Sequence, residues 1–150
     1  MPNRYWVEPD RLLAGAYPYE HLLPALRDAG ITAFVDLTQP DELPPYDHLI
    51  GDALHHRLPI GDFGIPTEAE MAQTLDLIDR LLADGHRVYV HCYAGIGRTG
   101  TVVGCHLVRH GTPRGDVLAR VAELRAAAGR RDPSPEMPAQ RALVERWRES

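Results

Sequence analysis

Three apolar residues, Val88-Tyr89-Val90, run directly into a ten-residue loop, His91-Cys92-Tyr93-Ala94-Gly95-Ile96-Gly97-Arg98-Thr99-Gly100, and that loop runs directly into a mostly apolar segment ending near His110. A buried strand joined to a buried helix by a glycine-bearing turn leaves few folds open. Such a strand needs neighbours on both sides and a helix over its face, which points to an α/β domain. The loop then falls at the carboxyl end of a strand, where open α/β sheets bind their ligands. Gly95 and Gly97 let the backbone curl until successive N–H groups make an anion nest. The helix starting near Arg98 adds the positive end of its dipole to the same place. Arg98 brings a planar guanidinium that can hold two phosphate oxygens at once. Cys92 lies in this positive potential, which favours the thiolate, the nucleophilic form of the side chain. A lone cysteine at a glycine turn is more often inert packing. An arginine six residues on, with two glycines between, reads instead as a nucleophile beneath a bound phosphate. Tyr93, Ala94, Gly95, Ile96, Gly97 and Arg98 are the predicted phosphate-binding positions.

The rest of the chain supports the same architecture. Tyr5-Trp6-Val7 and Leu12-Leu13-Ala14 are short strand-like pieces broken by Pro9. A helix is expected from about Pro24 to Gly30. Ala33 to Leu37 is an apolar run of strand length, Thr38 to Pro45 a loop, and Leu54 to Leu58 a further strand. Asp62-Phe63-Gly64-Ile65-Pro66 reads as a mobile loop. Thr67 with Glu70 forms a capping box for a helix with an apolar face of Met71, Leu75, Ile78 and Leu82, stopped by Gly85. Beyond His110, Gly111 and Pro113 close one helix, Arg114 to Ala128 makes an amphipathic one, and the last spans about Pro138 to Arg148. The 150 residues are most simply one domain, 1–150, with a largely parallel central sheet of four to five strands flanked by helices.

Composition removes several kinds of chemistry. All sixteen basic residues are arginine, so the chain has no lysine amine for a Schiff base, a pyridoxal link or a Walker-type ATP loop. A net charge of −5 argues against nucleic acid or an anionic membrane as partner. The two cysteines, Cys92 and Cys105, make no disulfide framework and suit a reducing compartment. Met1 to Asp10 has no apolar run of signal-peptide length, and a cytoplasmic location is expected. Cys105 is expected to pack in the core. His55, His56, His106 and His110 lack metal-ligand spacing with the cysteines, so neither metal nor cofactor is expected.

The stretch His-Cys-x5-Arg-Thr-Gly resembles the signature of the protein-tyrosine phosphatase superfamily, and the length resembles its small dual-specificity branch. Trp6-Val7 with Arg11-Leu12-Leu13-Ala14-Gly15 is similar to the entry strands of small microbial members. The resemblance implies hydrolysis of phosphate monoesters through a phosphocysteine intermediate. It implies a general acid about thirty residues before the cysteine, where Asp62 stands; Asp36 and Asp52 are its rivals. A leaving alkoxide or phenolate needs such a proton. By the same resemblance Thr99 bonds the cysteine sulfur, His91 orders the loop from below, and Gln140, in Glu136-Met137-Pro138-Ala139-Gln140, lies near the hydrolytic water. The implied substrate is a phosphorylated protein, with phosphotyrosine foremost and phosphoserine or phosphothreonine left open. The other readings are a phosphoinositide or RNA 5′-phosphatase, and a phosphate-binding module without turnover.

Overall fold

A computed structural model of the chain describes residues 3–61 and 64–148. Its centre is β5 (Val88–His91), fully buried, as a strand with neighbours on both sides must be. β2 (Leu12–Gly15) pairs with it in parallel on one side and β3 (Ala33–Asp36) on the other. β4 (Leu54–Arg57) continues the parallel set beyond β3, and β1 (Arg4–Glu8) closes the opposite edge antiparallel to β2. The order β1-β2-β5-β3-β4 is thus the largely parallel five-stranded sheet expected from the sequence.

Strand side chains alternate between faces, and the sheet uses both. Leu12, Ala14, Ala33, Val35, Val88 and Val90 join the larger core under α2 (Glu68–Ala83), α3 (Gly97–Arg109), α4 (Val117–Ala127) and α5 (Pro138–Arg146). Leu13, Phe34 and Tyr89 face the other way, against α1 (Leu23–Asp28) and Tyr46. Each fully buried leucine or valine contributes roughly 1.5–3 kcal/mol relative to exposure.

Element ends differ slightly from the sequence reading. The first two strands form one hairpin, turned by Asp10 at φ 61° with a bulge between Trp6 and Glu8, and are not broken apart at Pro9. α4 begins at Val117 and not at Arg114, because Asp116 N closes a turn onto the Pro113 carbonyl first. The capping box is present: Thr67 Oγ1 accepts from Glu70 N (3.1 Å) and Glu70 Oε1 from Thr67 N (2.8 Å).

Gly97, Gly100 and Gly104 of α3 also have a packing role that the sequence reading does not contain. A Cβ on Gly104 would stand 2.7 Å from Val144 Cγ1, and one on Gly97 would stand 3.0 Å from Gln140 Nε2. At Gly100 it would collide with Ser134 Oγ, which donates to the Ile96 carbonyl (2.6 Å). The stripe lets the 134–144 segment lie directly on the helix that carries Arg98.

Candidate active site

Cys92 follows β5 and is buried, 3% exposed. The loop after it turns at Gly95, whose φ is +77°. A side chain there would be strained by that angle, and its Cβ would stand 2.7 Å from Ala16 N. The loop is therefore pressed against the end of β2, and Tyr93 O accepts from Tyr17 N (2.9 Å). None of the backbone N–H groups from Tyr93 to Gly97 donates to another described residue. Buried or half-buried backbone donors are rarely left so. Five consecutive N–H groups around a left-handed glycine, at the start of a 13-residue helix, form an anion site.

Arg98, 2% exposed, lies under this loop. Its Nη1 and Nη2 donate to Glu42 Oε1 and Oε2 at 2.8 and 2.7 Å, and Nη1 also donates to the Ile60 carbonyl at 3.0 Å. A guanidinium has five N–H donors on more than one edge, so it can keep a carboxylate while addressing an anion. The hydrogen bonds from Arg98 hold the Glu42 carboxyl below its ordinary pKa, so Glu42 is charged at neutral pH. The Glu42 turn is itself fixed, with Gln39 N donating to Glu42 Oε1 (3.1 Å) and Glu42 N to Gln39 O (3.0 Å). Sequence reading missed Glu42, since nothing in Thr38 to Pro45 separates it from its neighbour Asp41. Glu42→Gln should lower kcat/KM for an aryl phosphate roughly 10- to 100-fold, matching the 1.5–3 kcal/mol of a hydrogen bond to a charged group. An unchanged kcat/KM and an unchanged vanadate affinity would remove Glu42 from the site.

A polar layer lies beneath Cys92. Burial pushes the pKa of His91 down to about 4, so the ring is neutral. A carbonyl only accepts, so His91 Nδ1–H donates to Cys92 O (3.1 Å), and Nε2 accepts from the Tyr46 hydroxyl (2.6 Å). Asp36, at the end of β3, is buried, which opposes its charge. Hydrogen bonding from His55 and two bonds from Thr38 outweigh this and hold its carboxyl well below the carboxylate range. Arg57 Nη2 also donates to it (3.2 Å). A carboxylate so occupied is a fixed anion, which suits Asp36 to anchoring and not to proton donation. Asp52 is exposed in the turn before β4.

The remaining predicted residues divide. Asp62, the expected general acid, and Phe63 lie outside the described residues. Their flanks meet the site: Ile60 O accepts from Arg98, and Gly64 O accepts from Gln140 Nε2 (3.3 Å). Gln140 is fully buried, its Oε1 accepting from Met137 N (3.2 Å), and with Glu136 it stands over Gly97. Thr99 is buried at the first turn of α3, and its hydroxyl donates to Gly15 O (3.4 Å). Cys105 is buried in the core.

Residues 13–112 match the family described as "Polymorphic toxin system, DSP-PTPase phosphatase". The chain belongs to this DSP-PTPase family. It is 35% identical over 104 residues to the putative tyrosine phosphatase 067L of Invertebrate iridescent virus 3, covering 65% of this chain and 42% of that protein. It is 30% identical over 116 residues to the phosphatidylglycerophosphate phosphatase PTPMT2 of Arabidopsis thaliana, covering 71% and 49%. The chain thus spans half or less of the length of these relatives. The crystal structure of Tk-PTP in the active form superposes with a TM-score of 0.79 at 26% identity, covering 97% of this chain and 99% of that one. Kinase associated phosphatase shares the fold at TM-score 0.78 and 18% identity, over 95% and 90%. The DSP-PTPase domain here is a phosphatase fold of the cysteine-dependent superfamily, and Cys92, Arg98 and the loop between them lie within the matched residues.

Proposed function

We propose that this phosphatase hydrolyses phosphotyrosine in proteins, with Cys92 as nucleophile and Asp62 as general acid. Support comes from the surround of the anion site. The loop positions that vary around Cys92 are Tyr93, Ala94 and Ile96, and none is cationic. Tyr93, in the loop itself, is 49% exposed, and Tyr19 nearby is 44% exposed. Ile65 and Met137 are exposed next to Gly64 and Glu136. Aromatic and aliphatic surface around a single anion site fits a phenyl ring better than a second phosphate. A depression lined by Tyr17, Tyr19, Pro44, Pro45, Tyr46 and His48 continues from Tyr19 and offers apolar surface to residues flanking the phosphotyrosine.

In the proposed reaction the Cys92 thiolate attacks phosphorus in line while the loop amides and Arg98 neutralise the equatorial oxygens. The P–O bond breaks, and the departing oxygen takes the proton of Asp62. Water then attacks the phosphocysteine, giving its proton to the Asp62 carboxylate. Phosphate leaves, and the thiolate is restored. Thr99 would stabilise that thiolate only by turning its hydroxyl from Gly15 O to the sulfur, and Gln140 would orient the water.

The competing reading is a phospholipid headgroup, since two relatives from Arabidopsis thaliana carry the name phosphatidylglycerophosphate phosphatase. Side-by-side kcat/KM values for a phosphotyrosine peptide, a phosphothreonine peptide, a soluble phosphoinositide and phosphatidylglycerophosphate decide between them. The phosphotyrosine peptide should lead. A lipid value tenfold above it overturns the protein assignment.

A further inference from the structure

At the opposite end of α3 from Arg98, roughly 12 Å along the helix at 1.5 Å per residue, a second cluster has no part in the phosphatase chemistry. His106 and His110 stand one turn apart, with ring centroids 4.4 Å apart. Asp79, from α2, faces both: its Oδ1 is 2.8 Å from His110 Nε2 and 4.0 Å from His106 Nδ1. The three ligand atoms lie within 4.8 Å of one another.

His106 carries the argument. Its side chain is 1% exposed, and Nε2 is 3.0 Å from Glu8 Oε1. A carboxylate only accepts, so Nε2 bears the proton and Nδ1 presents a lone pair. Nδ1 is buried without any hydrogen-bond partner. It faces Asp79 Oδ1, another acceptor, across a gap too wide for a hydrogen bond. Two lone pairs aimed at one point call for an electrophile between them. Arg109 Nη1, close by, engages Asp79 Oδ2 (3.1 Å) and Asp76 Oδ1 (2.9 Å), while His106 Nδ1 stays unbonded.

We propose that Asp79, His106 and His110 bind a divalent transition ion of the zinc class. Two imidazoles and a carboxylate are ligands such an ion takes, with water as the fourth. At bond lengths of about 2.0–2.1 Å a tetrahedral ion spaces its ligand atoms roughly 3.3 Å apart, between the two distances seen. Glu8 holds the far nitrogen of His106, the outer-shell arrangement that fixes the ring and raises ligand basicity. Spacing alone does not reveal the cluster, because the histidines lack suitable spacing with the cysteines; the fold pairs them with Asp79 from another helix. The ion would fasten α2, α3 and the end of β1 together and would not reach the phosphate. An ordered water bridging Nδ1 and Oδ1 is the competing occupant.

The test is a Co²⁺ titration of the Cys92→Ser protein, in which the reactive thiolate no longer competes. The expected result is one equivalent bound with the visible bands of tetrahedral cobalt, bleached by Zn²⁺. His110→Ala, at an exposed position, and Asp79→Asn should each abolish the bands while circular dichroism shows the fold retained. Glu8→Gln should weaken binding roughly 10- to 100-fold, and His55→Ala with His56→Ala should leave it unchanged. The absence of tetrahedral bands at saturating Co²⁺, or bands that survive His110→Ala, overturns the proposal. Since the readout is spectral and the protein inactive, the result does not depend on the substrate assignment.

Discussion

Cys92→Ser should reduce turnover of an aryl phosphate to background while leaving vanadate or phosphate binding measurable. The two halves of this expectation have separate causes. A serine hydroxyl is a far poorer nucleophile than a thiolate, and no described residue stands beside Cys92 as a base to activate it. Anion binding instead belongs to the open N–H groups of Tyr93 to Gly97 and to Arg98, fixed by Glu42 and Ile60. None of these is touched by the substitution. Isothermal titration with vanadate beside an initial-rate assay checks both. Residual turnover that persists after exhaustive purification, or that EDTA removes, would assign the chemistry to another group.

Asp62→Asn should lower kcat by roughly 10²- to 10⁴-fold on an alkyl or tyrosyl phosphate, the usual worth of one positioned acid. The loss should shrink as the leaving group improves, because a good leaving group departs with little protonation. The falling limb of the pH–rate profile, where the acid loses its proton, should vanish in the variant. The rivals are poorly placed for the role: Asp36 is held ionised beneath the loop by His55 and Thr38, and Asp52 is exposed before β4. A variant with an unaltered profile would show that another carboxylate donates the proton, and Glu136, standing over Gly97, would be the next to substitute.

What the sequence revealed and what it concealed follow from the range of the forces involved. The strand–loop–helix through Cys92 was legible because strand run, glycines and helix start lie within some twenty consecutive residues. The Thr67–Glu70 box was legible for the same reason. Glu42 was not. It sits 56 positions from Arg98, and only the parallel pairing of β3 with β5 brings the loop after one strand beside the loop after the other. Tyr46 beneath His91 is hidden in the same way, at 45 positions. Gln140 follows only from the resemblance; its burial depends on Gly97 and Gly104 admitting α5 so closely.

That glycine stripe bears on where the working unit stops. Glycine in a helix interior costs about 1 kcal/mol against alanine, and α3 accepts this at Gly100 and Gly104 to seat residues 134–144. The family match ends at residue 112, three residues past the end of that helix. Yet Ser134 ties down the Ile96 carbonyl, and Gln140 reaches Gly64 beside the expected acid. A fragment cut to the matched stretch would keep Cys92 and Arg98 but lose the floor on which their loop rests. Any exchange of this domain between proteins has to carry residues 134–146 with it, or the transplanted signature arrives without its foundation.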